Sequence, residues 1–481
     1  MLAWARSYCT GRRFVARLSV LVAFLVSVCI ASSASAESMK SAVRKAVKTH
    51  PSGLAQRANQ RAVANELEES RSQFKPQVEL FGDIGAEWVN NRNSLSVADN
   101  SKWKGTRQIG IVARYTLFDG YERANSLYRN AARLDGALYS LLATSEVVAL
   151  NAVEAYIDVV RHRQLLSIAR RNIKRHRRIL SQIRARVRGG KSPASDQFQI
   201  EERVFAARAV EVEITKAYQD SVAKYKKAVG RKPGRKMRIS RVKHLPRSVG
   251  ALVSASVANN YELKALRKTV SENEYARDSS RFGLAPRVFL EGKATAGADR
   301  SGSSGSERDA YLGVRLSWKL YDGGATNART DALAERAGQA EYQRDVRLRE
   351  IKETAERAWN AYVNGRKRSS LLLSQVRTNA KIVRNYREEY ELSKRSLLDV
   401  LDGERARFNA EFQHISVVAG YRFSAFRMLA TQSKLASFFG ISRRSVAPTP
   451  NYENKFVNSS TSAFGKSTGQ GIFDINIEPL K

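Results

Sequence analysis

The chain has 481 residues, with 83 Lys and Arg against 46 Asp and Glu, a formal net charge of +37, and only nine prolines and two cysteines. Both cysteines, Cys9 and Cys29, lie near the N-terminus, so a chain that loses that segment has no disulfide and no thiolate chemistry. Such a positive balance would suit nucleic acid or an anionic surface, but the basic residues are scattered through long helical stretches without zinc spacing or an RNP-like aromatic motif, which sets nucleic acid aside as a partner.

Residues 1–36 have the order of a secretory signal peptide. Arg6, Arg12, Arg13 and Arg17 precede the apolar run "LSVLVAFLVSVCI", and "ASSASA" then leads to Glu37. The run falls short of the about 20 residues of a membrane helix, and Ser27-Val28 before Cys29 are not the small residues of a lipid-attachment site. No later segment is apolar for about 18 residues or more, so no further membrane helix is expected. The sequence therefore predicts an exported chain.

Proline breaks helix interiors and central strands, so the prolines outline the architecture. Pro51 falls at a helix start, Pro76 and Pro286 just before apparent strands, and Pro193 at a turn. Pro233 and Pro246 lie in a basic linker, 231–250, and Pro448, Pro450 and Pro479 in a polar tail, 441–481. The spans 121–192, 194–232 and 287–447 have none.

Between these marks the chain is an internal duplication. "KPQVELFG" (75–82) matches "APRVFLEG" (285–292) at an offset of 210, and "YTLFDG" (115–120) matches "WKLYDG" (318–323) at an offset of 203. The repeats span 37–230 and 251–440. Each predicts a helix, a strand hairpin (77–118 or 287–321), a long helix (121–188 or 324–394) and a returning helix (194–229 or 397–438).

In the first hairpin Val78, Leu80, Ile84, Ala86 and Trp88 alternate with polar residues, as do Ile109, Ile111, Ala113, Tyr115 and Leu117. In the second, Val288, Leu290, Ala294 and Ala296, then Leu312, Val314, Leu316, Trp318 and Leu320, do the same. That period fits a strand with one apolar face, either in a soluble sheet or in an outer-membrane barrel. The signal peptide and the aromatics near strand ends favour the membrane. Four strands cannot close a barrel, and lipid does not tolerate an open edge, so several subunits would have to pool them. The helices show apolar residues at helical spacing, and some 68 residues of helix reach about 100 Å.

Each strand runs into its long helix at an Asp-Gly step. Asp119 is placed to cap the first long helix, with Glu122 three residues on, and Gly120 permits the bend. Asp322 and Gly323 repeat the step, with Gly324 added and Ala325 where the Glu would be.

Signal peptide, duplication, strand hairpins and paired long helices together resemble the TolC family of trimeric outer-membrane channel-tunnels. "SLLDVLDGERARFNAEF" (396–412) looks like that family's second helical hairpin, and "GGKSPASDQFQIEERV" is its looser counterpart in the first copy. The resemblance covers roughly 38–440. It implies an α+β chain with four strands per protomer. A homotrimer would then hold a twelve-stranded barrel in outer-membrane lipid, continued by an α-helical coiled-coil tunnel across the periplasm. It also implies a passive duct without cofactor, opened at its inner end by a periplasmic adaptor and an inner-membrane transporter, either an ABC transporter or a proton-driven exporter. Within the family, the first copy resembles the type I protein-secretion branch, while drug-efflux members share the scaffold.

The same resemblance implies site residues. Asp399 and Asp402 correspond to acids that ring the tunnel constriction, where six carboxylates in a trimer would attract cations. Ser396 and Asp399 also have S-x-x-D capping spacing. Tyr390 and Arg395 correspond to residues that hold neighbouring hairpins shut; packing and a solvated charge are their plainer readings. Asp196 is the gate acid or helix cap of the first copy, although "KSPAS" departs from the family's apolar turn. Enzyme signals are absent: the five histidines lack metal-ligand spacing, and "FGKST" (464–468) lacks the opening glycine of a phosphate loop.

Overall fold

The computed structural model describes residues 38–90, 100–302 and 304–465. The expected signal peptide, both cysteines and residues 466–481 of the tail lie outside the described residues. In chain order the elements are α1 (Met39–Thr49), α2 (Pro51–Ser72), β1 (Gln77–Val89), β2 (Lys102–Phe118), α3 (Glu122–Arg188), α4 (Ala194–Val229), α5 (Val249–Asn259) and α6 (Tyr261–Arg281). The second half continues with β3 (Arg287–Ala298), β4 (Ser306–Ser317), α7 (Ala325–Glu391), α8 (Leu397–Thr431), α9 (Leu435–Phe438), α10 (Arg443–Val446) and α11 (Tyr452–Gly465).

The duplication is kept in three dimensions. Both long helices have 67 residues, about 100 Å at 1.5 Å per residue. Their first residues, Glu122 and Ala325, and their last, Arg188 and Glu391, share the offset of 203 seen in the Asp-Gly steps. The returning helices α4 and α8 begin at that offset too, at Ala194 and Leu397.

The four strands form one antiparallel sheet in sequence order. Its register aligns apolar side chains across all strands: Leu80 faces Ile111, which faces Ala294, which faces Ala310, while Leu290 joins Tyr115 to Val314. Among the described residues this face meets no other layer; Ile84 is 92% and Leu312 78% exposed. The opposite face is polar. There Glu291 accepts from Arg114 at 3.0 Å and from Arg315 at 3.0 Å. Each strand has at least 12 residues, beyond the about 9–11 needed to span a bilayer.

Two strand details depart from the sequence reading. The ladder shifts between Thr116 and Phe118, so Leu117 is the extra residue of a bulge and Phe118, not Leu117, faces Val288. β4 stops at Ser317, which pairs with Arg287, so Trp318 and Leu320 lie beyond the strand and the hairpin ends short of 321. The preceding partner would be Pro286, which has no N–H for the ladder; the Trp318 indole instead donates to the Leu284 carbonyl at 3.1 Å.

The main core forms around α3. Ala149, Ala152, Val153, Tyr156 and Val159 are buried there against Met39, Ala42 and Val43 of α1, Tyr225 of α4, and Phe426 and Phe439. Alanines let the backbones approach while each large side chain contributes about 1.5–3 kcal/mol of burial. An 18-residue window of α3 is apolar and long enough to cross a membrane, but over half of it is buried in this core, as befits a central helix of a helical assembly.

The second returning helix ends at Thr431 rather than 438. Ser433 takes a left-handed φ of 53°, and its hydroxyl accepts the Tyr261 N–H at the start of α6 at 3.0 Å. Just beyond, the buried carboxylate of Glu146 accepts from Leu435 N–H at 2.9 Å and Ala436 N–H at 3.2 Å. Asp135, three turns earlier on α3, accepts from Tyr452 N–H at 3.0 Å and Glu453 N–H at 3.2 Å, at the start of α11. Two buried acids of α3 thus hold the chain after α8: Glu146 the start of α9, and Asp135 the start of α11 in the tail.

Candidate functional site

The two helical hairpins turn at the same end of the molecule. After α3, Gly190 has a φ of 69° and Lys191 N–H returns to the Arg186 carbonyl at 2.8 Å. After α7, Ser393 has a φ of 59° and Lys394 N–H returns to the Glu389 carbonyl at 2.8 Å. Only the first copy places glycine in the left-handed position; Ser393 holds the same conformation at a steric cost. A small apolar core joins the tips: Ile179, Ile183 and Ile200 of the first hairpin pack with Leu397, Val400 and Leu401 of the second.

Polar contacts tie the hairpins together above that core. The Tyr390 hydroxyl lies 3.4 Å from the Ser192 hydroxyl, and the Arg186 guanidinium sits 4.9 Å from the Tyr390 ring centre. Arg203 of α4 lies 3.9 Å from the Asp402 carboxylate. Tyr390 and Asp402 therefore each reach from the second hairpin to the first.

Arg395 stays within its own hairpin. Its guanidinium donates to Glu389 at 2.6 Å, lies 3.8 Å from Asp399 and stacks 4.2 Å from the Tyr386 ring centre. Ser396 caps α8: its hydroxyl accepts the Asp399 N–H at 3.2 Å and donates to the Asp399 carboxylate at 2.7 Å. Capping thus accounts for Asp399 within the protomer, whereas Asp402 stands more than half exposed.

Asp196 occupies the position equivalent to Asp399 at the 203 offset, yet it does not cap α4. The residue at the cap is Pro193, and that helix start has no side-chain hydrogen bond. Asp196 lies in the first turn, where the helix dipole favours an acid.

One charged cluster escaped the sequence reading. Glu404 of α8 is fully buried, 2.9 Å from the Arg175 guanidinium of α3 and in direct contact with Arg387 of α7. Burial pulls the Arg175 pKa down against the opposing pull of Glu404. Nothing in "DGERAR" marks that Glu as interior, because its partners are far away in sequence. Ser192 and Arg186 were equally invisible, since their value depends on Tyr390 meeting them across the hairpins.

At the other end, the Asp-Gly steps are the joints between sheet and helices. The Asp119 carboxylate accepts from Arg123 N–H at 3.2 Å and from the Arg123 guanidinium at 2.6 Å. Glu122 does not complete a capping box; it pairs with Arg287 at 2.6 Å, next to Pro286 at the start of β3. Gly120 and Tyr121 both have positive φ, 66° and 68°, as do Gly323 and Gly324, 70° and 88°. Asp322 accepts from Gly324 N–H, Thr326 N–H and the Thr326 hydroxyl; that hydroxyl above all holds its carboxyl below the usual range. Pro76 directly precedes β1.

A sheet whose apolar face and two edges meet no other element among the described residues, continued by helical hairpins about 100 Å long, defines an outer-membrane channel-tunnel. The chain belongs to the outer membrane efflux protein family, whose model matches residues 42–231 and 252–422. It is 24% identical over 455 residues to the outer membrane efflux protein BepC of Brucella suis, covering 90% of this chain and 94% of BepC. It is 22% identical over 328 residues to the alkaline protease secretion protein AprF of Pseudomonas aeruginosa, covering 64% of this chain and 67% of AprF. Its fold is that of the CmeC outer membrane channel of Campylobacter jejuni, with a TM-score of 0.74, 11% identity, and coverage of 88% of this chain and 89% of that one. The protein is an outer-membrane exit duct of the TolC family.

Proposed function

We propose that three copies pool their sheets into a twelve-stranded barrel and their hairpins into one tunnel, forming the exit duct of a tripartite exporter. The observation that carries this is the four-stranded sheet, whose apolar face is uncovered and whose edges β1 and β4 pair with no described strand. Such edges are not tolerated in lipid, and closure by further copies removes them. A periplasmic adaptor and an inner-membrane transporter open the tip, where Tyr390 and Arg395 hold the closed state. Asp399 and Asp402, with Asp196 of the first hairpin, supply the carboxylates of the constriction.

The cargo we assign is a protein delivered by an ABC transporter, as in type I secretion. The similarity to a protease secretion protein supports this, as does the resemblance of the first copy to the secretion branch. Export of small molecules by a proton-driven pump is the second reading, favoured by the longer match to BepC. Deleting the gene and comparing the secreted proteins with drug susceptibility separates them. Loss of a large secreted protein with unchanged susceptibility supports secretion; increased susceptibility with an intact secretome supports efflux.

A further inference from the structure

The apolar face of the sheet carries two charges in its paired rows, and both are arginines. Residues directly opposite on antiparallel strands point to the same side. The register therefore puts Arg107 in the row of Ile84 and Ala298, and Arg308 in the row of Ile109 and Ala296. Every Asp and Glu of the four strands, and every other Lys and Arg, lies on the opposite face. Both arginines are exposed, and neither side chain makes a hydrogen bond or ion pair with a described residue.

Their depth follows from the strands. Val288, level with Phe118 and Leu316, opens the apolar rows of β3, and Ala298 closes them. The steps from 288 to 298, at about 3.3 Å each along a strand tilted by about 45°, climb about 23 Å. An outer-membrane barrel carries an apolar band of about 25 Å. Directly beyond Ala298 the chain turns through Asp299 and Ser301, with φ values of 60° and 51°, and a polar turn of that kind lies outside hydrocarbon. The arginine rows thus stand at the outer boundary of the band. Trp88 and Trp103, paired and exposed further along the first hairpin, are the aromatics that such a boundary collects.

At that depth a guanidinium on the lipid face meets headgroups. Arg107 and Arg308 sit two strands and one row apart, about 12 Å between Cα atoms at ordinary strand spacing and rise. The residues between them on β3, Ala296 and Ala298, leave the space above the sheet open. Two unpaired cations side by side repel each other, and a doubly charged anion between them removes that repulsion. The planar fork of arginine matches phosphate oxygens bidentately. Free phosphate would answer the charge and leave the alanine floor and Ile109 bare. A phosphorylated lipid answers both, because its acyl chains cover the floor.

Resting on the duct reading, which turns the hairpin ends outward, we propose that Arg107 and Arg308 hold the phosphate of an outer-leaflet glycolipid against this face. Native mass spectrometry of the full-length trimer in detergent tests this, with lipid A, its dephosphorylated form and inorganic phosphate as probes. In the expected result lipid A binds and the dephosphorylated lipid binds far more weakly. Arg107→Leu with Arg308→Leu weakens lipid A binding by about tenfold or more. Leucine suits the apolar band, so the doubly substituted chain still assembles. Equal binding of the dephosphorylated lipid, or binding unmoved by the substitutions, overturns the proposal. Inorganic phosphate that displaces lipid A at equal concentration also overturns it, giving the arginines to a free anion. Heat-modifiable trimers in the outer membrane without phosphate-selective lipid binding strike this proposal alone; a chain that never reaches that membrane as a trimer strikes the duct.

Discussion

Tyr390 and Ser192 meet hydroxyl to hydroxyl at 3.4 Å, joining two helical hairpins whose turns are otherwise linked mainly by a small apolar core. Tyr390→Phe deletes that bond and keeps the ring beneath Arg186. One such bond is worth about 0.5–1.5 kcal/mol, so the open fraction in single-channel recordings should rise by up to about tenfold. An unchanged open fraction would take Tyr390 out of the gate.

Glu404 is the interior counterpart of that contact, with Arg175 and Arg387 on two other helices. Removing one partner of a buried ion cluster strands the others, at about 3–5 kcal/mol. Glu404→Gln should therefore lower the thermal midpoint clearly, and Glu404→Leu with Arg175→Met and Arg387→Met should recover much of the loss. If the single variant melts like the wild type, the cluster is not a structural tie.

The two joints between sheet and helix are not equally tolerant. A Cβ at Gly120 would meet the Ala285 Cβ at 2.2 Å, whereas at Gly323 it would meet nothing within 4 Å. Both positions have positive φ, costing about 1–2 kcal/mol for alanine, and overpacking at the first adds about 1–3 kcal/mol. Gly120→Ala should reduce the assembled protein in outer-membrane fractions far more than Gly323→Ala. Equal yields would contradict the close packing at Ala285.

The large features of this fold were legible because they are periodic. Alternation in 77–89 and the 203-residue offset need only local order, and β1 spans those residues. The errors fell where distant partners decide. The strand after Leu316 depends on whether Pro286 can donate, and the end of α8 depends on Ser433 and on Glu146, far away in sequence. The tip acids were legible from the motif, but their contacts with Arg203 and Ser396 were divided by geometry that spacing alone does not fix.

Glu146 gives the protein a pH dependence of known sign. Burial raises its pKa from 4.5 to about 8, outweighing the N–H bonds from Ala436 and Leu435 that favour its anion. The folded state thus binds more protons than the unfolded state between those values, so this group's stabilisation, full below about 4.5, is lost as pH rises towards about 8. Glu146→Gln cannot ionise, and its melting temperature should lack that decline. A parallel decline in both proteins would assign it to other groups.

The central claim is that this chain becomes a membrane duct only by pooling its sheets. Outer-membrane fractionation with unheated and heated electrophoresis, followed by bilayer recording of the same material, tests it directly. The expected result is a heat-modifiable trimer in the outer membrane that forms cation-selective channels, with selectivity weakened by Asp402→Ala. A freely soluble periplasmic monomer that opens no channel would contradict it.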